Sequence, residues 1–160
     1  MDSLTRSDRP QGFTLIETLL TLAILTLLIG VTVPKFSSFL NRFQVDTQST
    51  DLMQLLRIAQ SKSMASESDA QFGVHLVVGS GGSFTLFKGS TYAGRDLTFD
   101  QEVHTLPSGT SLSKTVTGLD VIFVKTVGST TNTGTITIAQ TGGTTAHTVT
   151  INTAGMIQLD

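Results

Sequence analysis

The chain has 160 residues, room for one modest domain and an accessory segment at the usual ~100–200 residues per domain, and too few for a large multidomain enzyme. Ten Lys and Arg against 12 Asp and Glu give a formal net charge of −2, so no global field gathers nucleic acid or anionic lipid. Cysteine is absent, which excludes a disulfide framework, thiolate metal sites and a cysteine nucleophile.

The first element in chain order is an apolar run from Phe13 to Val33, 21 positions with a single charge at Glu17. A bilayer core needs about 20 apolar helical residues, so the run predicts a membrane-spanning helix over 13–33 behind a polar leader at 1–12. A cleaved secretory signal would have an apolar region of roughly 7–15 residues and a small-residue cleavage site after it. Here the downstream flank, VTVPKF, offers no such site, and the small residue, Gly12, lies before the run. A cut at Gly12 would remove the leader and keep the helix. A charged side chain at a helix centre costs about 2.5–3.5 kcal/mol and marks function by default; Glu17 lies nearer the end, where the cost is lower.

Gly30, then Val31, Thr32 and Val33, then Pro34 form a weak place in this helix, because proline removes an i to i−4 hydrogen bond and clashes with the preceding turn. A kink at Gly30 and Pro34 is expected. The helical period continues over 34–66, with Phe36, Phe39, Leu40 and Phe43 repeating at i, i+3, i+4, i+7 and Leu52, Leu55, Leu56 and Ala59 repeating it again. Between them QVDTQSTD, 44–51, reads as a solvated turn of the helix, and the pattern fades at 63–69.

From Gln71 the period changes to two. FGVHLVV, SFTLFKG, DLTFDQEV, DVIFVKTV, TITIA and HTVTI are short runs rich in Val, Ile, Phe and Thr between Gly, Ser, Asn and Pro clusters. Ile136 with Ile138 and Val149 with Ile151 alternate with threonines as half-buried strands do, and TTNTG and TGGTT are turns. The predicted architecture is α+β: a long N-terminal α-helix, membrane-spanning in its first half, packed around Leu52 to Ala59 on an antiparallel β-rich domain over 67–160.

Catalytic patterns are thin. His75, His104 and His147 are scattered, and no G-x-S-x-G, HExxH or Walker A spacing occurs. VGSGGSF at 78–84 reads as a hairpin turn. The best constellation is RDLTFDQEVH: in a strand, Asp96, Thr98, Asp100, Glu102 and His104 share one face. Asp96, Asp100 and Glu102 admit three readings, a Ca²⁺ site, an acidic patch facing a partner, or the ordinary solvated face of a strand, which is the default.

GFTLIETLLTLAILTLLIGVTVPKF resembles the class III signal of type IV pilins and type II secretion pseudopilins, through Gly12, Phe13, the TLIE tetrad ending at Glu17, the unbroken apolar stretch and Pro34. The resemblance implies cleavage between Gly12 and Phe13 by prepilin peptidase, N-methylation of Phe13, and assembly with other pilin or pseudopilin subunits on an inner-membrane platform. It implies a cytoplasmic-membrane protein, lipid-embedded through its helix with the globular part outside the cytoplasm, that later joins a filament in the periplasm or at the surface. Glu17 then pairs with the Phe13 α-ammonium of a neighbour in a low-dielectric interior, where such attraction exceeds its value in water. The leader departs from the pattern in being neutral, with Arg6 and Arg9 offset by Asp2 and Asp8.

DLMQLLRIAQSKSMASESDAQFGVHL and the ending HTVTINTAGMI resemble H-type minor pseudopilins and FimT-like minor pilins. Those commonly carry Arg after the last Gly, where this chain has Met156 after Gly155. Residues 42–160 carry 7 basic and 9 acidic side chains, so nucleic acid gains little from counterion release and is not an expected partner. Two classes follow: a structural subunit with no cofactor and no enzymatic activity, or a binding, adhesion or DNA-uptake module on an uncleaved anchor.

Overall fold

The computed structural model describes residues 12–99 and 102–160, except the side chains of 31–38. The leader expected at 1–12 therefore lies, apart from Gly12, outside the described residues. Two compact units divide the chain, one ending at Ser38 and the other running Phe39–Asp160. A single helix, α1 (Leu15–Met64), passes through both, and its assignment continues through Gly30 and Pro34.

Among the described residues of the first unit the helix buries no side chain. Large apolar side chains from Phe13 to Ile29 are exposed on every face, Phe13 at 78%. The threonines within the run turn their hydroxyls onto helix carbonyls, Thr18 to Leu15 at 2.8 Å, Thr21 to Thr18 at 3.0 Å and Thr26 to Leu22 at 2.8 Å. Such back-bonding satisfies a polar group without an external partner. Among the described residues no helix is long and apolar enough to cross a membrane. The span expected over 13–33 ends among residues whose side chains lie outside the description.

The described residues of the second unit contain the rest of α1 and nine strands: β1 (Phe72–Val77), β2 (Gly79–Ser80), β3 (Ser83–Lys88), β4 (Val103–Thr105), β5 (Thr110–Lys114), β6 (Asp120–Phe123), β7 (Gly134–Gln140), β8 (Ala146–Ile151) and β9 (Ile157–Leu159). They form two sheets, ordered β4-β3-β1-β6 and β2-β5-β7-β8-β9. Every pair is antiparallel.

The buried stripe of α1 is Val45, Ser49, Leu52, Leu56, Ala59 and Ser63, with Leu55 beside it. Their spacing alternates four and three, which keeps one helix face toward the sheets. Against it pack Phe72, Val74 and Leu76 of β1, Phe84 of β3, Val121 and Phe123 of β6, and Ile136, Ile138, Val149 and Ile151 of β7 and β8. These are the alternate positions of each strand, as the period of two requires. On the outer face, Thr135 and Thr137 pair with Thr150 and Thr148, with the Thr137 and Thr148 hydroxyls 3.1 Å apart.

Two expectations about the helix are corrected. The stretch 44–51 is not a solvated turn, because Val45 and Ser49 are fully buried; the Ser49 hydroxyl donates to the Val45 carbonyl at 2.7 Å and so enters the core satisfied. Conversely Phe39 and Phe43, on the apolar repeat, are 63% and 62% exposed. The sheets begin under α1 only from Val45.

The strand expected over DLTFDQEV is also corrected. Among the described residues of this stretch, 96–99 turn and Val103–Thr105 is extended. Asp96 closes the turn: its Oδ1 accepts from the Thr98 main-chain nitrogen at 2.9 Å and hydroxyl at 2.7 Å, while Oδ2 pairs with Lys88 Nζ at 2.9 Å. An Asx turn of this kind competes with extended backbone and wins when a cation holds the second oxygen. Strand β5 and the two-residue β2 have no counterpart in the expected runs, while VGSGGSF is the hairpin connection expected, since β1 and β3 pair from Val77 opposite Ser83.

Candidate functional site

The N-terminal residues singled out by the sequence lie together. Gly12, Phe13 and Thr14 are in open chain directly before α1. The Thr14 carbonyl accepts from Thr18 N at 3.2 Å, which makes Thr14 the cap, and its hydroxyl accepts from Glu17 N at 3.3 Å. A capping hydroxyl bonded to the third helical N–H fixes where the helix starts. Glu17 therefore occupies the first turn, where the positive end of the helix dipole favours a carboxylate. Gly12, Phe13, Thr14 and Glu17 line one recess of about 280 Å³. The capping role of Thr14 was legible in the spacing T-x-x-E.

Asp96 and Glu102 do not share a strand face, because Asp96 lies in a turn before β4. Asp96 is spent on its turn, Glu102 pairs with His104 at 2.8 Å, and Asp100 lies outside the described residues. The His104 ring also stacks on Phe84, centroids 5.0 Å apart. The Thr98 hydroxyl foremost, then Lys88, hold the Asp96 carboxyl below the usual carboxylate range, at about 2. Among the described residues no group of three or more His, Asp or Glu could hold a metal ion.

A second concavity, of about 530 Å³, opens on the outer face of the β1 sheet between Tyr92, Leu119, Ile122 and Asn132. His75, on β1 opposite Asp120 of β6, holds that carboxylate at 2.6 Å through Nδ1. Asp120 also accepts from Tyr92 N at 3.0 Å, and the Tyr92 ring stacks on His75 with centroids 3.8 Å apart. Arg95 covers the Tyr92 ring at 4.0 Å. The stack rests on buried Phe87, which meets Tyr92 edge-on at 5.6 Å. No sequence pattern announced this cluster, since Tyr92 and Arg95 stand in a loop.

A family model for the prokaryotic N-terminal methylation motif matches residues 8–33. No curated protein sequence matches the chain. The fold is similar to that of the minor pseudopilin EpsH of the Type 2 Secretion System of Vibrio cholerae, with a TM-score of 0.55 at 20% identity over 72% of this chain and 95% of that one. It is similar also to the type IV minor pilin FimU of Pseudomonas aeruginosa, with a TM-score of 0.59 at 18% identity over 76% of this chain and 92% of that one. The chain is thus a prepilin-motif protein whose α+β domain has the fold of minor pilins and pseudopilins.

Proposed function

We propose that the chain is a structural subunit, of the minor pilin or pseudopilin kind, of a type IV pilus or a type II secretion pseudopilus. The observation that carries this reading is the recess shared by Gly12, Phe13, Thr14 and Glu17 within the matched motif. The Gly12–Phe13 bond lies in open chain, as a peptidase needs, and prepilin peptidase would cut it and N-methylate Phe13.

Cutting creates an α-ammonium one helical turn from Glu17. In an assembled filament the Phe13 ammonium of an incoming subunit pairs with Glu17 of its neighbour, and water exclusion strengthens the attraction. The carboxylate sets the register, while the all-round apolar surface of the helix supplies non-directional adhesion. In the second unit Phe39 and Phe43 are likewise exposed apolar side chains.

In this reading 1–12 is the leader, 13–33 the membrane and filament helix, 34–66 its amphipathic continuation and 67–160 the domain displayed outside the cytoplasm. Pro34 has no N–H for the Gly30 carbonyl, so the helix can bend there as the subunit passes from bilayer to filament. Partners are the peptidase, sibling subunits, the inner-membrane platform and lipid; the subunit itself is not a catalyst.

Intact mass and N-terminal sequencing of protein from its own cell's membranes, beside a strain lacking prepilin peptidase, test the reading. The expected mature chain begins at methylated Phe13 in the first strain and retains its leader in the second. An intact leader in both would leave the alternative, an anchored binding or adhesion module, for which the concavity beside His75 and Tyr92 is the supporting feature.

A further inference from the structure

We propose that Met64 is an oxidation site: its thioether holds the loop after β6 against the end of helix α1, and conversion to the sulfoxide by a hydroperoxide releases that loop. Met64 is the last residue of α1 and is 50% exposed, so a small peroxide reaches it. A Cβ placed on Gly128 would stand 2.6 Å from Met64 Cγ and 2.7 Å from its Sδ, so the thioether lies directly over the bare Cα of Gly128. Among the other described methionines, Met156 is 56% exposed and its sulfur accepts from Gln158 Nε2 at 3.6 Å, while Met53 packs against the core.

The loop is held in a conformation that its own residues do not favour. Thr126 has φ +71°, a steric outlier for a β-branched residue, and such a residue persists only where its neighbours over-determine it. The segment it meets carries the same kind of strain, with Ser66 at φ +50°, Ser68 at +53° and Asp69 at +58°. All four non-glycine residues of positive φ among the described residues therefore belong to one corner of the fold. Three polar ties fasten the loop there. Thr126 N donates to the Ser63 carbonyl at 3.0 Å, Gln60 Nε2 donates to the Gly128 carbonyl at 2.9 Å, and Lys125 pairs with Asp69. Met64 supplies the apolar cover beside them, and Val127, between the tied residues, is 66% exposed.

In the oxidation a lone pair of the Met64 sulfur attacks one oxygen of hydrogen peroxide. The S–O bond forms as the O–O bond breaks, and the departing hydroxide takes the proton of the transferred hydroxyl and leaves as water. Sulfur is oxidised by two electrons and the peroxide is reduced by two. The product carries a strong S–O dipole in place of an apolar thioether, and that oxygen is satisfied by water rather than by the Cα of a glycine. The side chain therefore turns to solvent, Gly128 loses its cover, and Thr126 relaxes from the left-handed region. Methionine sulfoxide reductase chemistry returns the thioether, so the release is reversible.

The test treats the full chain in detergent micelles with hydrogen peroxide and compares wild type, Met64→Leu and Met156→Leu by peptide mass mapping and amide hydrogen exchange. Wild type should gain one oxygen at Met64 and one at Met156. The amides of Thr126 and Gly128 should then exchange at least about threefold faster, and reductase treatment should restore the original rates. Treated Met64→Leu should keep the exchange of its untreated form, whereas treated Met156→Leu should change as wild type does. Each protein is compared with its own untreated form, so any stability change caused by leucine itself does not enter. Unchanged exchange in wild type oxidised at Met64, the same acceleration in treated Met64→Leu, or a Met64 left unoxidised once Met156 has fully reacted would overturn the proposal.

Discussion

The side-chain amide of Gln60 donates to the carbonyl oxygen of Gly155 at 2.9 Å. The same nitrogen lies 2.9 Å from the carbonyl of Gly128, so the two N–H bonds of one amide tie α1 to the loop after β6 and to the β8–β9 turn. Gln60→Ala leaves both carbonyls without this donor. Its expected cost is about 1–3 kcal/mol, the range for stranding part-buried polar groups, read as a lower urea midpoint with unchanged slope.

Gly155 itself has φ +81°, and a Cβ there would stand 2.1 Å from the Gly128 main-chain oxygen. Gly128 has φ +73°, but its added Cβ would meet the Met64 side chain, Cγ at 2.6 Å, a flexible neighbour. Both alanine variants bear the left-handed penalty of roughly 1–2 kcal/mol. Gly155→Ala should be the more damaging of the two, because backbone cannot retreat as a methionine can; paired urea melts compare them.

Asp96 gives a pH dependence at the acid end. A carboxyl held below its ordinary value of 3.8, here to about 2, contributes stability that is fully present above 3.8 and is lost as pH falls through about 2. Asp96→Asn should therefore melt below wild type near neutrality, with the difference fading between about pH 4 and pH 2. Thermal melts across that interval check it; a constant difference would show that the Asx turn matters through shape alone.

Glu17→Leu separates folding from assembly. The second unit begins at Phe39, so its near-ultraviolet dichroism and melting temperature should match wild type. Leader removal, at a bond four residues before Glu17 in open chain, should still occur. What should fall to background is recovery of the chain in sheared filaments or crosslinked to sibling subunits. Glu17→Asp should restore part of it, since the charge is kept and its reach shortened.

What the sequence determined by itself is what depends on neighbours along the chain. Helix α1, the pairs Ile136 with Ile138 and Val149 with Ile151, and the VGSGGSF and TGGTT turns were legible because hydrophobic period and turn chemistry are local. The N-terminal motif was legible for the same reason: Gly12, Phe13, Thr14 and Glu17 stand close together along the chain and line one recess.

Only the tertiary structure decided which part of an amphipathic pattern is used. Phe39 sits on the apolar repeat and Val45 in a polar stretch, yet it is Val45 that has sheet beneath it, and burial depends on that partner. Asp96 could extend or turn, and Lys88, eight residues away across a bend, chose the turn. Asp120 with His75, and Asp46 with His147, meet across 45 and 101 residues. Strand order sets such meetings, and it follows from how two sheets and one helix share a core, a relation that no local pattern encodes.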